Sequence, residues 1–206
     1  MTTFLLIRHA ANETIGELIV GQAAGVHLNE EGIAQAASLA ERLARVQLAA
    51  LYSSPMERAL ETASPLAIRH ELEIQKSNAL VEINFGEWTG RTLRALEGEK
   101  QWQQFNSFRS GTRIPGGELM VEVQTRVVVE LERIRERYRD DTVAVVSHGD
   151  PLKAAIAYYA GVPLDLFLRL EISPASVSVI AVNDDGPKIL LLNDTGELPG
   201  MKKPEE

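Results

Sequence analysis

Two histidines stand where side-chain packing gives them no purpose. His9 follows the apolar run Phe4-Leu5-Leu6-Ile7 and Arg8, and His148 follows Val143-Ala144-Val145-Val146 and Ser147. A short continuous apolar run reads as a buried strand of a parallel sheet. In such sheets ligands bind outside the carboxyl ends of the strands. Two histidines at two strand ends therefore meet in one crevice, which makes an active site. Gly149 supplies freedom for a tight turn, and Gly149-Asp150-Pro151 opens a helix whose first amides favour an anion.

Arg58 adds a cation to that crevice. It lies in the first turn of a helix opened by Ser53-Ser54-Pro55, where positive charge opposes the helix dipole. A guanidinium fork matches phosphoryl oxygens, and phosphoryl recognition explains the position. The structural alternative is a surface arginine paired with Glu57 or Glu61. Glu82 lies in Leu80-Val81-Glu82-Ile83-Asn84-Phe85-Gly86-Glu87-Trp88. An acid among apolar and aromatic neighbours gains a raised pKa, as a general acid near neutral pH requires. Glu87 is its rival, and spacing alone does not choose between them.

The elements that must position these residues follow from pattern. Phe4–Ile7, Ala49–Tyr52, Leu72–Ile74 and Thr142–Ser147 read as strands. Residues 10–28 form a loop. Asn29 caps a helix that carries Ile33, Ala36, Ala37, Ala40, Leu43 and Ala44 at helical spacing. Helices are expected at 56–69, with Pro65 as a source of a kink, at 118–138 and at 151–160. Ser176–Val182 and Lys188–Leu192, joined by Asn-Asp-Asp-Gly, read as a hairpin. The stretch 77–117 is the least regular. It holds both tryptophans, three of the five phenylalanines and the Pro115-Gly116-Gly117 turn, and it looks like a cap.

Strands alternating with helices predict an α/β three-layer sandwich: a mostly parallel sheet with an antiparallel edge strand and helices on both faces. One domain over residues 1–206 is expected, with a cap excursion at about 84–118 and a frayed tail at about 196–206.

Bulk properties bound the function. The chain has 206 residues, 45% apolar and 24% charged, an ordinary globular balance. With no cysteine it has no disulfide, thiolate metal site or cysteine nucleophile. A net charge of −8 speaks against a nucleic-acid partner. No signal peptide and no membrane-spanning stretch is visible, so a cytoplasmic location is the default. No carboxylate cluster suggests a metal, and no metal or other cofactor is expected.

Five segments resemble motifs of one family, in its order, over residues 4–149. Leu6-Ile7-Arg8-His9-Ala10 is similar to the Arg-His-Gly signature of the histidine phosphatase superfamily, the phosphoglycerate-mutase-like group. Ser53-Ser54-Pro55-Met56-Glu57-Arg58-Ala59-Leu60-Glu61-Thr62-Ala63 resembles its second motif. Glu82–Gly90 is similar to its acid-bearing segment, Pro115-Gly116-Gly117-Glu118 to its turn, and Val146-Ser147-His148-Gly149 to its second histidine motif.

The resemblance implies roles. His9 becomes a phosphohistidine, Arg8, Arg58 and His148 surround the phosphoryl oxygens, and Glu82 protonates the leaving oxygen and later activates water. It also implies a metal-independent phosphomonoesterase of the histidine acid type, acting on a small phosphorylated metabolite. A cofactor-dependent phosphoglycerate mutase is the alternative, with Arg91, Arg94, Lys100, Arg109 and Arg113 as extra basic residues. A catalytically silent phosphate-binding protein is the second.

Departures concern the phosphate cradle. Ala10 replaces the usual glycine, Asn12 stands in for a common threonine and can still donate to phosphate, and Ile15 replaces a common asparagine. Gly21 aligns with a glycine that lets backbone approach the substrate, and Gln22 follows it. Asp150 reads as the N-cap of the helix after it. His27 and His70 read as structural, and Trp102, Phe105 and Phe108 as the cap's own core. The substrate is a small molecule, and a homodimer stays open.

Overall fold

Strand β1 (Thr2–Arg8) alternates across the sheet. Phe4 and Leu6 enter one apolar layer, Leu5 and Ile7 the other, and all four are buried. In the computed structural model, residues 1–196 are described. The tail expected to fray, about 196–206, lies outside the described residues except for Gly196.

The elements follow in the order β1, α1 (Glu30–Leu43), β2 (Ala50–Ser53), α2 (Glu57–His70), β3 (Ile74–Lys76), α3 (Leu93–Leu96), α4 (Lys100–Ser107), α5 (Met120–Arg137), β4 (Thr142–Ser147), α6 (Gly149–Ala160), β5 (Val177–Asn183) and β6 (Gly186–Asp194). The six strands form one sheet in the order β3-β2-β4-β1-β5-β6. Strands β1, β2, β3 and β4 pair in parallel, β5 pairs antiparallel to β1, and the edge strand β6 pairs antiparallel to β5.

Helices α1 and α2 cover the Leu5 and Ile7 face with Leu39, Leu43, Ala59, Ala63 and Leu66. Helices α5 and α6 cover the other with Val127, Leu131, Ile134, Leu152 and Ile156. Burying each large aliphatic side chain stabilises the fold by ~1.5–3 kcal/mol. The result is a three-layer α/β sandwich.

Local signals set the ends. Asn29 accepts a hydrogen bond from the Gly32 amide at 2.8 Å, an N-cap that contributes about 1 kcal/mol. Helix α2 continues through Pro65 to His70. Strand β3 starts two residues later than the pattern predicts, because Leu72 still belongs to the end of α2: Glu71 is its left-handed C-cap and the Leu72 amide donates to the Ala67 carbonyl at 3.0 Å.

The irregular stretch 77–117 is more ordered than its sequence suggests. It contains α3 and α4, and Phe105, Trp88, Leu96 and Ile114 build a third apolar layer with Met120, Val123 and Phe167. Trp102 packs edge-on against Trp88, and Phe105 completes the cluster. Phe108 departs from the expected cap core and is 51% exposed. Among the described residues, no helix is long and apolar enough to cross a membrane.

Candidate active site

The three central strands β2, β4 and β1 run in parallel and end together. Their carboxyl ends present Ser53-Ser54, Ser147-His148 and Arg8-His9. Backbone bonds hold these ends in register. The His9 amide donates to the Ser147 carbonyl at 2.9 Å and the Ser54 amide to the Val146 carbonyl at 2.9 Å. The His9 and His148 rings meet edge-on, with centroids 5.2 Å apart.

His9 is held as one tautomer. Its Nδ1 lies 2.8 Å from the Ala10 carbonyl oxygen. A carbonyl only accepts, so Nδ1 carries the proton and Nε2 keeps its lone pair. Burial, then the charges of Arg58 and Arg8, push the imidazole down to about 3. His9 is therefore neutral at any ordinary pH. The Ala10 amide donates to Thr62 Oγ1 at 2.9 Å, and Thr62 donates to the Arg58 carbonyl at 2.7 Å, so the His9 loop is tied to α2.

Around His9 lies a set of buried nitrogens short of partners. Arg58 Nη2 donates to the Gly21 carbonyl at 2.8 Å, but its Nε and Nη1 are buried without a hydrogen-bond partner. Arg8 Nη1 donates to the Ile172 carbonyl at 2.7 Å, and its Nε is likewise unpartnered. His148 Nε2 lies 2.8 Å from Ser54 Oγ, which leaves Nδ1 buried and unpartnered. Burial lowers the His148 pKa well below its ordinary value, and the charges of Arg58, Arg126 and Arg8 add to it. Buried polar nitrogens without partners are rare, and each needs an explanation. Arg8, Arg58 and His148 together could hold an anion.

The surface-pair alternative for Arg58 does not hold. Glu57 Oε1 accepts from the Gly25 amide, and Glu61 accepts from His27 and from the Leu28 amide. Their carboxylates are engaged with the loop, and Arg58 is buried beneath them. His27 is thus structural, and His70 ends α2.

Glu82 and Glu87 are separated by exposure. Glu87 is exposed, and its amide binds the Pro115 carbonyl at 2.9 Å. Glu82 is partly buried, and its Oε1 accepts from the Ile83 amide at 2.9 Å. Burial and the nearby Asp150 carboxylate push Glu82 up to about 7, against the Ile83 amide, Arg58 and Arg8. A carboxyl at that value holds its proton near neutral pH and can donate it.

The backbone of Glu82 is clamped by residues that the pattern did not single out. Arg126 of α5 donates to the carbonyls of Ala79 at 2.7 Å and Glu82 at 3.1 Å, and to Glu118 at 3.0 Å. Ser147 Oγ donates to the Leu80 carbonyl at 2.7 Å. Periodicity could not flag Arg126, because on an amphipathic helix it looks like any polar-face residue.

The remaining predicted positions fall as follows. Gln22 Nε2 donates to the Glu82 carbonyl at 2.7 Å, so it supports the acid's backbone. Gly21 has φ +48, abuts Ile83 and Phe85, and gives its carbonyl to Arg58. Asn12 Oδ1 accepts from the amide and hydroxyl of Thr14, and its amide nitrogen has no partner among the described residues. Ile15 lies in the turn that follows. Gly149 packs so that a Cβ would lie 3.5 Å from the Arg8 guanidinium. Asp150 is not an N-cap. His148 holds that position, Asp150 falls in the first helical turn, and its carboxylate faces Arg109 at 3.4 Å instead. The cap cations Arg91, Arg109 and Arg113 are paired with Glu99, Asp150 and Glu122. Among the described residues, no group of three or more His, Asp and Glu side chains is arranged to hold a metal.

Known proteins resemble the chain along most of its length. A family model described as the histidine phosphatase superfamily (branch 1) matches residues 4–195. Phosphoserine phosphatase 1 of Hydrogenobacter thermophilus is 35% identical over 204 residues, covering 96% of this chain and 95% of the relative. The solved structure of YhfR from Bacillus stearothermophilus matches with a TM-score of 0.88 at 29% identity, covering 94% of this chain and 98% of that one. A phosphoserine phosphatase from Entamoeba histolytica, in complex with 3-phosphoglyceric acid, matches with a TM-score of 0.85 at 25% identity, over 94% and 98% of the two chains.

Proposed function

The chain belongs to the histidine phosphatase superfamily, branch 1, and on that premise we propose that it hydrolyses a small phosphorylated metabolite through a phosphohistidine on His9. The observation that carries this reading is the set of buried, unpartnered nitrogens on Arg8, Arg58 and His148 around a neutral His9. Phosphoryl transfer asks mainly for charge neutralisation and in-line positioning, and these groups provide both.

In the first step the Nε2 lone pair of His9 attacks phosphorus. The bond from phosphorus to the ester oxygen breaks, and protonated Glu82 gives its proton to that oxygen, so the alcohol leaves neutral. Arg8, Arg58 and His148 hold the three equatorial oxygens. Asn12 adds its amide nitrogen, and the first amides of α6 at Gly149 face the same anion. In the second step Glu82, now ionised, takes a proton from water. The water oxygen attacks phosphorus, the P–N bond breaks, and its electrons return to Nε2. Gly21 and Gln22 serve the site by fixing Arg58 and the Glu82 backbone.

Hydrolysis is favoured over mutase activity by the cap. A bisphosphate cofactor needs free cations, and of the five basic residues there Arg91, Arg109 and Arg113 are already ion-paired, which leaves only the exposed Arg94 and Lys100. We take residues 84–118 as the cap of a single functional unit. Rapid quench with a radiolabelled phosphoester tests the mechanism. Wild type gives an acid-labile, base-stable label on His9, and His9→Ala gives none. Equal labelling of His9→Ala would overturn the nucleophile assignment, and rapid mutase turnover of 3-phosphoglycerate with little phosphate release would overturn the hydrolase.

A further inference from the structure

Arg109 has no part in the steps above, yet it is built in with care. It is 5% exposed, although it is a cation from the cap. Its guanidinium carbon lies 4.4 Å from the Phe105 ring centre and 4.6 Å from that of Phe167. Nη2 donates to Asn106 Oδ1 at 2.7 Å, Nη1 faces Asp150 Oδ2 at 3.4 Å, and Nε is buried without a partner. Neither ring nor amide requires a cation there. The group that does is Asp150, which helix capping does not explain.

Asp150 lies on the leaving-group side of the site. It follows His148 and Gly149 directly, and its partner Arg109 belongs to the excursion pinned to the Glu82 segment, with the Glu118 amide on the Asn84 carbonyl at 3.0 Å and the Glu87 amide on the Pro115 carbonyl at 2.9 Å. Arg109 is covered by its rings, whereas the Asp150 side chain is 21% exposed and its Oδ1 has no partner among the described residues. The charge presented beyond the ester oxygen is therefore the carboxylate. A carboxylate accepts from an ammonium and repels another anion.

We propose that Asp150, positioned by the ring-stacked Arg109, is a specificity-determining residue that takes an ammonium group on the substrate's alcohol portion and disfavours an anionic group there. This inference rests on the phosphatase reading above. It selects phosphomonoesters of amino alcohols over those of hydroxy acids, and over bisphosphates.

Two esters of matched size test it: O-phosphoethanolamine, with an ammonium two carbons from the ester oxygen, and phosphoglycolate, with a carboxylate there. The readout is the ratio of their kcat/KM values, each variant being measured at its own pH optimum. The ratio cancels any effect of Asp150 on Glu82 that both esters feel. Wild type favours O-phosphoethanolamine. Asp150→Asn lowers that preference about 10- to 100-fold, the size of one hydrogen bond to a charged group, and Asp150→Glu restores part of it. Arg109→Gln, which frees the Asp150 carboxylate, lowers it less. A ratio within twofold of wild type in Asp150→Asn overturns the inference. So does a wild-type preference for phosphoglycolate, with no variant needed. If wild type releases phosphate from neither ester nor from p-nitrophenyl phosphate, the phosphatase reading falls and this inference with it.

Discussion

Replacing Glu82 by glutamine should make the protein more stable at alkaline pH while disabling it. Glu82 is held at about 7 in the folded chain against an ordinary 4.5. The sign follows from proton binding. Between those values the folded state holds the proton that the unfolded state has lost, so stability is full below about 4.5 and declines as pH rises through about 7. Each pH unit of separation corresponds to about 1.4 kcal/mol, so ionised Glu82 burdens the folded state by about 3 kcal/mol at pH above both values. Glutamine is isosteric, keeps an oxygen for the Ile83 amide and never ionises.

Urea unfolding of both proteins at about pH 5 and about pH 8.5 reads this out. The Glu82→Gln advantage should grow by about 2–3 kcal/mol between the two. An advantage that is equal at both pH values would show that Glu82 is not shifted, and the argument for its role as acid would fail. Catalysis gives an independent reading. Loss of the general acid should slow alkyl phosphate cleavage about 10²- to 10⁴-fold. A p-nitrophenyl ester, whose phenolate leaves without a proton, should still give one fast turnover and then stall, because the second step lacks its base. A full loss of that burst would mean that Glu82 is needed for binding.

Three further predictions follow from the same geometry. The pH profile of kcat/KM, corrected for the ester's own second ionisation near ~6, should have an acid limb near 3, where His9 gains a proton, and an alkaline limb near 7, where Glu82 loses one; an alkaline limb below about 5, in the ordinary carboxyl range, would refute the assignment. Arg58→Met should abolish phosphohistidine labelling yet leave thermal stability unchanged or higher, because the buried guanidinium has two unpartnered nitrogens. Inorganic phosphate at about 100 times its Kd should raise the wild-type Tm by about 5–10 °C and do nothing for that variant; equal shifts in both proteins would remove Arg58 from the cradle. Gly86→Ala should destabilise the fold by about 2 kcal/mol or more in a denaturant titration, since φ is +47 and a Cβ would lie 2.1 Å from the Pro115 carbonyl; a loss under about 0.5 kcal/mol would mean that the Pro115-Gly116-Gly117 turn yields freely.

The two strand-end histidines of the candidate site were legible because two levels of pattern coincide at them. An apolar run marks the strand, and a titratable side chain at its carboxyl end has no packing purpose. Asn29 and the β5–β6 hairpin were legible from local chemistry alone, cap and turn. Helix α4 was not, because Trp102 and Phe105 are its only apolar residues and two positions set no period. Arg126 was hidden for the opposite reason: its helix has a clear period, which places it on a polar face that proves to be turned toward Ala79 and Glu82. Asp150 was misread as a cap. The rule that an acid suits a helix start is sound, but its partner Arg109 is 41 residues away in the cap, where no local rule reaches.

One physical cause sets both titratable partners for the first step. Burial disfavours charge, so it lowers the imidazole and raises the carboxyl. His9 falls to about 3 and Glu82 rises to about 7, and between those values the free enzyme holds a neutral nucleophile beside a protonated acid. Had both groups been exposed, they would share their reactive forms over no pH range, since an ordinary carboxyl ionises before an ordinary imidazole becomes neutral. In the proposed cycle the second step needs the opposite state of Glu82, and the first step provides it, because the proton has left with the alcohol. The arginines tip the balance in a consistent sense. They favour ionised Glu82, which helps the base, and they oppose a charged His9, which protects the nucleophile. At Glu82, Asp150 counters them. Asp150 thus adds to the burial that holds the proton on Glu82.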